Sequence, residues 1–207
     1  MFAGREPLHP VLQSLAPTVR ALRLPEPPFR RLIEANRRDQ RVSRYATWAE
    51  LRGYCALSAN PVGHLVLHVF GVATFERFPA SDAVCTALQL VEHCQDVAED
   101  LARGRLYLPA EDLARFDCQE RDLCAPAAGP GVRGLLRFEV GRARALLDRG
   151  APLVRTLRGR ARVAIAGFVA GGHAAADAIE RRGFDVLGGA PRPRRRDLLR
   201  RLVMALR

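Results

Sequence analysis

Three carboxylates stand at intervals of four in the segment DAVCTALQLVEHCQDVAEDLARG: Glu92, Asp96 and Asp100. On a helix, each step of four residues turns the side chain by about 40° and advances it by about 6 Å, so the three form one acidic stripe. Like charges this close destabilise an isolated helix by roughly a few tenths of a kcal/mol per pair, unless a hard cation such as Mg²⁺ bridges their oxygens. A solvated polar face is the commoner origin of such a stripe, and Leu90, Cys94, Val97 and Leu101 supply an apolar arc to bury the other side. Spacing alone leaves both readings open.

Other candidates carry less. His64 and His68 lie four apart, but without the Glu of an H-E-x-x-H motif they read as packed or exposed histidines. Tyr54, Ser58 and Val62 share one helical face, where a tyrosine is usually core with its hydroxyl bonded nearby. Gly167, Gly171 and Gly172 suit close helix contact, since no strand precedes them and neither G-x-G-x-x-G nor a Walker pattern is present. Cys55, Cys85, Cys94, Cys118 and Cys124 form an odd set without C-x-x-C spacing, which reads as reduced thiols.

The elements that must position these side chains read as helices throughout. Apolar residues recur at helical spacing and alternating β-branched runs are nearly absent, which makes the chain all-α. Helices are expected over 8–23 with a proline break, and over 28–41 after the LPEPP linker. Thr47 and Glu50 form a capping box opening a helix towards Val72, bent at Asn60-Pro61, where Ser58, Ala59 and Gly63 leave the space that a channel requires. Ser81-Asp82 can cap the acidic helix, which stops at Gly104. A short helix follows at 111–116, a Gly/Pro loop at 125–134, then helices at 133–149 and 152–182, the last stopped by Gly183. Residues 1–191 read as one domain and 192–207 as a basic amphipathic tail able to rest on a membrane surface.

Composition sets the outer bounds. With 207 residues, 48% hydrophobic and 27% charged, the chain can bury a core, which excludes a disordered tail or a small disulfide scaffold. Its formal charge of +11 is unevenly placed: residues 1–150 carry +2 and residues 151–207 carry +9. All 33 basic residues are Arg, as GC-rich coding produces, and no helix-turn-helix, zinc or aromatic pattern accompanies them, so nucleic acid is not expected as a partner. The N-terminus lacks a signal-peptide pattern and the run Val163 to Ala176 is too short to span a bilayer, so the protein is expected in the cytoplasm, with the tail able to meet the inner membrane face.

Two longer motifs resemble a known family. QLVEHCQDVAEDLARGRLYLP, Gln89 to Pro109, resembles the second aspartate-rich motif of the squalene/phytoene synthase family, D-x-x-x-D followed by G-R-x-Y-x-P. YCALSANPVG, Tyr54 to Gly63, resembles that family's Y-C-x-x-x-A-x-x-V-G helix, and SANPVG, HPVL and GFVAGGHAAADAI are most similar to the bacterial, hopanoid-associated squalene synthase branch. The resemblance covers about Pro7 to Gly189. It implies an isoprenoid synthase helical bundle around an apolar channel, with Mg²⁺ holding the diphosphate of a prenyl substrate. It assigns Asp96 and Asp100 as Mg²⁺ ligands, and Glu92 as a third where relatives often carry Asn. It also places Arg105 and Tyr107 near the diphosphate and Tyr54 beside the reacting carbons.

The implied substrate is farnesyl diphosphate or presqualene diphosphate, and the product squalene or, with water, hydroxysqualene. A separate enzyme would then carry out the reduction, in keeping with the missing nucleotide fingerprint. One departure stands out: no paired aspartates occur in residues 1–81, where relatives carry a first D-D-x-x-D-like motif on an earlier helix. The chain is therefore expected to be an N-terminally truncated member missing the first helices, roughly a third of the domain, and to be poorly active and poorly soluble alone. Phytoene synthase-type condensation, and a noncatalytic remnant that pairs with a complete synthase or sits at a membrane, remain the alternatives.

Overall fold

Prolines and glycines set most of the helix ends. The computed structural model describes residue 2 and residues 7–207. Its helices are α1 (Pro10–Ala21), α2 (Glu26–Asp39), α3 (Trp48–Ser58), α4 (Asn60–Val69), α5 (Phe78–Gln95), α6 (Val97–Ala102), α7 (Ala110–Arg115), α8 (Pro130–Gly150), α9 (Gly159–Arg181) and α10 (Arg195–Ala205). Among the described residues there is no strand beyond one isolated bridge between Arg44 and Leu106, so the expected all-α class holds.

Several boundaries differ from expectation for identifiable reasons. Pro17 does not break α1: it is exposed, so water can take the carbonyl its missing N–H leaves open. The expected bent helix divides in two, α3 ending as Ala59 donates to the Cys55 carbonyl and α4 starting at Asn60 with Pro61 in its first turn. Thr47 caps α3 as expected, its Oγ1 accepting from the Glu50 N–H at 3.2 Å, while Glu50 Oε2 reaches back to the Ala46 N–H at 2.8 Å. Ser81 is not a cap; α5 starts at Phe78 with Pro79 in its first turn, which puts Ser81 inside the helix and buried. The expected helix at 152–182 begins as a 3-10 turn, Ala151–Thr156, and resumes at Gly159 after extended residues at Leu157 and Arg158. Gly183, at φ +61°, ends α9 as expected.

The core has two clusters. One gathers Tyr45, Tyr54, Leu90, Leu135, Leu136 and Ile179 with their neighbours; the other joins Leu67, Val84, Leu147, Leu153, Ile165 and Val169. α5 and α8 run through both, and their approach depends on Gly150, where a Cβ would lie 2.5 Å from Val84 Cγ2 and 2.7 Å from the Ala80 carbonyl. Of the three α9 glycines expected at close contacts, only Gly172 serves: its Cβ would meet Leu147 and Leu88 methyls at 2.9 Å, whereas Gly167 and Gly171 face open space. All five cysteines are free.

Candidate active site

The acidic stripe is present, but it crosses a break. α5 ends at Gln95, Asp96 adopts φ −100° and ψ 10°, and α6 resumes at Val97. The i→i−4 bonds nevertheless continue, Asp96 N–H to the Glu92 carbonyl at 2.9 Å and Asp100 N–H to the Asp96 carbonyl at 2.8 Å. The carboxylates therefore stay on one side, while Leu90, Cys94 and Val97 are buried on the other. Burial raises the pKa of Glu92, with a further push from Asp96; burial and then Glu99 raise that of Asp96. Asp100 is pushed up to about 6 by burial and then by Asp96.

The loop after α6 brings the G-R-x-Y segment back over α5. Arg105 N–H bonds to the Asp100 carbonyl at 2.8 Å, and Leu106 N–H to the Ser43 carbonyl at 2.9 Å. This seats Tyr107 flat on His93, ring centroids 3.8 Å apart, and 5.5 Å from Tyr54, which lies 5.5 Å from Tyr45. Tyr54, Arg105 and Tyr107, assigned separately by sequence resemblance, thus meet. They meet on Asp39, at the end of α2: Tyr54 OH donates to Asp39 Oδ2 at 2.9 Å, and Arg105 Nη2 reaches the Asp39 carbonyl at 3.5 Å. Burial raises the hydroxyl pKa of both Tyr54 and Tyr107, so both stay protonated donors at neutral pH.

Three residues here were not anticipated: Asp39, His93 and Gln89. His93 is buried and its pKa is pushed down to about 3, so it is a neutral imidazole, 4.0 Å from Asp100 and 3.3 Å from Gln89. Gln89 Oε1 accepts from Ser58 Oγ at 3.3 Å. His64 lies outside this group, bonded to Asp82 at 2.8 Å and stacked on Phe78 at 4.1 Å; burial lowers the pKa of His68.

Below Gln89 the same face of α5 turns apolar. An apolar cavity of about 80 Å³ opens between α4, α5 and α9, lined by Val62, Gly63, Val66, Ser81, Val84, Cys85, Leu88, Leu153, Ile165 and Phe168. Ser81, Cys85, Leu88, Gln89, Glu92 and Asp96 follow helical spacing along one face, about 16 Å from Ser81 to Glu92 at 1.5 Å per residue. A carboxylate end and an apolar end on one helix face suit an amphiphile: an anionic head held through a cation, and a hydrocarbon tail. Among the described residues no three His, Cys, Asp or Glu side chains converge closely enough to enclose a metal ion. An open pair of oxygen donors fits Mg²⁺ all the same, since that ion keeps water and takes one or two carboxylates together with substrate phosphates. Arg103, bonded to Glu99 at 2.6 Å, offsets part of the charge on the pair, but burial outweighs it and both carboxyls are held above their usual range.

This all-helical scaffold is shared with solved proteins. A dehydrosqualene synthase crystallised with a ligand superposes with a TM-score of 0.86 over 98% of this chain and 72% of that one, at 20% identity, a likeness of fold. The squalene synthase HpnC from Alicyclobacillus acidocaldarius matches at 46% identity and a TM-score of 0.82, covering 88% of this chain and 69% of that one. The squalene/phytoene synthase family matches residues 1–201, and the chain belongs to that family. Among curated relatives, the 15-cis-phytoene synthase of a Synechocystis species is 36% identical over 78% of this chain and 51% of its own length. The hydroxysqualene synthase of Zymomonas mobilis is 36% identical over 57% of this chain and 40% of its own. The chain spans about half the length of the curated relatives it matches.

Proposed function

We propose that this chain carries the second half of a squalene-branch isoprenoid synthase site, acting on farnesyl or presqualene diphosphate to give hydroxysqualene by capture of water, or squalene where a separate hydride donor supplies the reduction, for hopanoid synthesis. The observation that carries the reading is the run from α5 into α6, whose i→i−4 bonds carry Asp96 and Asp100 on from the face that lines the apolar cavity and set them near the Tyr54–Tyr107–Arg105 group. Asp96 and Asp100 hold Mg²⁺, with Glu92 as an additional oxygen donor. Bound there, the ion supplies charge neutralisation for the departing diphosphate. Arg105 pairs with diphosphate oxygens. Tyr54 and Tyr107, packed in the core behind the site, back the wall beside the allylic cation left when the carbon–oxygen bond breaks, and the apolar wall limits which water reaches that cation. Neutral His93 fixes the Tyr107 ring by stacking.

The branch assignment rests on the squalene synthase resemblance; phytoene synthase-type condensation is the second reading, supported by the phytoene synthase relatives. The site is tested by calorimetric titration of the chain with a non-hydrolysable farnesyl diphosphate analogue, with Mg²⁺ and with EDTA. Binding is expected to need Mg²⁺, and Asp96→Asn or Asp100→Asn to weaken it at least about tenfold, roughly 1.4 kcal/mol. Full Mg²⁺-dependent binding in both variants would remove the metal assignment. Products from farnesyl, presqualene and geranylgeranyl diphosphates, measured on the chain joined to a segment bearing a first aspartate-rich motif, separate the two branches.

A further inference from the structure

α10 has a fixed inner face and an outer face with a different character. Inside, Arg201 forks onto Asp177 at 2.7 and 2.8 Å, Asp197 pairs with Arg181 at 2.9 Å, and Arg162 Nη2 donates to the Leu206 carbonyl at 2.6 Å. Leu202, Ala205 and Leu206 pack on the cluster that holds Ile165 and Val169. These contacts set the rotation of the helix. They turn Leu199, Val203 and Met204 outwards, 63%, 47% and 51% exposed, with Arg196, Arg200 and Arg207 around them. Positions 196, 199, 200, 203, 204 and 207 follow the three–four spacing of one helix face. Arg192, Arg194 and Arg195 lead into that face, also exposed, and the one carboxylate of α10, Asp197, is turned inwards and paired.

We propose that the outer face of α10 docks on an anionic lipid surface. The helix lies flat there, Leu199, Val203 and Met204 entering the acyl boundary and the arginines spreading to the lipid phosphates. Charge and apolarity together choose this occupant. A second copy would bring together two faces whose charged groups are all arginines, and a nucleic acid would use the arginines but leave the three apolar side chains without a role. No described helix is long and apolar enough to cross a membrane, so the contact lies along the surface. The inference rests on α10 alone and is independent of the proposed substrate.

The test is flotation of the full chain with phosphatidylcholine vesicles, and with vesicles of phosphatidylcholine mixed with phosphatidylglycerol, at low and high salt. Binding is expected to the mixed vesicles only and to fall with salt. Arg196→Gln with Arg200→Gln should lower the low-salt partition by on the order of thirtyfold. Leu199→Glu with Val203→Glu should abolish it while leaving the circular dichroism melt unchanged. Equal binding to neutral vesicles, or undiminished binding by either double variant, would overturn the proposal. So would retention of the chain by double-stranded DNA that Leu199→Glu does not weaken, or a sedimentation dimer that the same substitution dissolves.

Discussion

The hydroxyl of Tyr54 has one acceptor, Asp39 Oδ2, and the other oxygen of that carboxylate, Oδ1, is buried without a partner. Removing the hydroxyl therefore leaves both oxygens unsatisfied. Tyr54→Phe is expected to lower stability by about 1–3 kcal/mol, the cost of stranding a buried acceptor, as read by urea unfolding. Asp39→Asn keeps an oxygen for the Tyr54 hydroxyl to donate to, so its stability should change less than that of Tyr54→Phe; a larger loss would show that the charge of Asp39 holds the cluster together. The sequence singled out Tyr54, Arg105 and Tyr107 because each sits in a motif. It hid Asp39 because Arg37-Arg38-Asp39-Gln40-Arg41 reads as the solvated end of a helix. His93 was hidden for another reason: its burial comes from Tyr107 and Tyr54, contacts that spacing within α5 does not reveal.

At the scale of the elements, helical periodicity identified nearly every helix, and the errors fall where backbone geometry overrides side-chain pattern. Ser81-Asp82 has the chemistry of a cap, yet Pro79 pre-sets the first turn earlier and carries Ser81 into the wall of the cavity. There Ser81 and Cys85 face Gly63 of α4, whose hypothetical Cβ would lie 2.5 Å from each side-chain heteroatom. Neither heteroatom belongs to backbone, but both side chains are short and α5 is held by α8, so little can yield. Gly63→Val is expected to cost about 1–3 kcal/mol by overpacking and to narrow the cavity. Thermal unfolding measures the first effect. The second appears as weaker binding of farnesyl than of dimethylallyl diphosphate analogues, relative to the unsubstituted chain; equal weakening of both would mean that the tail does not lie in this cavity.

Across the whole molecule, one buried ionic group joins α7, α8 and the start of α3, and of its contacts only the Glu139–Arg142 pair, three residues apart on one helix, is legible in the spacing. Arg142 of α8 bonds Glu139 at 2.7 Å and Asp112 of α7 at 2.9 Å, and its guanidinium lies 4.6 Å from the Trp48 ring at the start of α3. Glu139 is fully buried, and burial, then Asp112, push its pKa up to about 8. Arg142→Ala leaves Asp112 without its cation and Glu139 without its hydrogen-bond donor, and should cost about 3–5 kcal/mol. The pH dependence has a definite sign. Folded Glu139 keeps a proton that the unfolded chain releases near 4.5, so its contribution is full below that pH and lost as pH rises to about 8. His93 acts oppositely: with its pKa near 3 against 6.5 unfolded, it favours folding fully above 6.5, and that contribution is lost as pH falls towards 3. Above pH 6.5 the His93 contribution no longer changes, so the decline up to pH 8 comes from Glu139, with smaller shares from the end of the Asp100 titration and from the buried thiols. Glu139→Gln keeps the shape and removes the titration; urea midpoints of the variant should fall clearly less between pH 6.5 and 8 than those of the unsubstituted chain. Parallel declines in both would place the titrating group elsewhere and leave Glu139 ionised against Arg142.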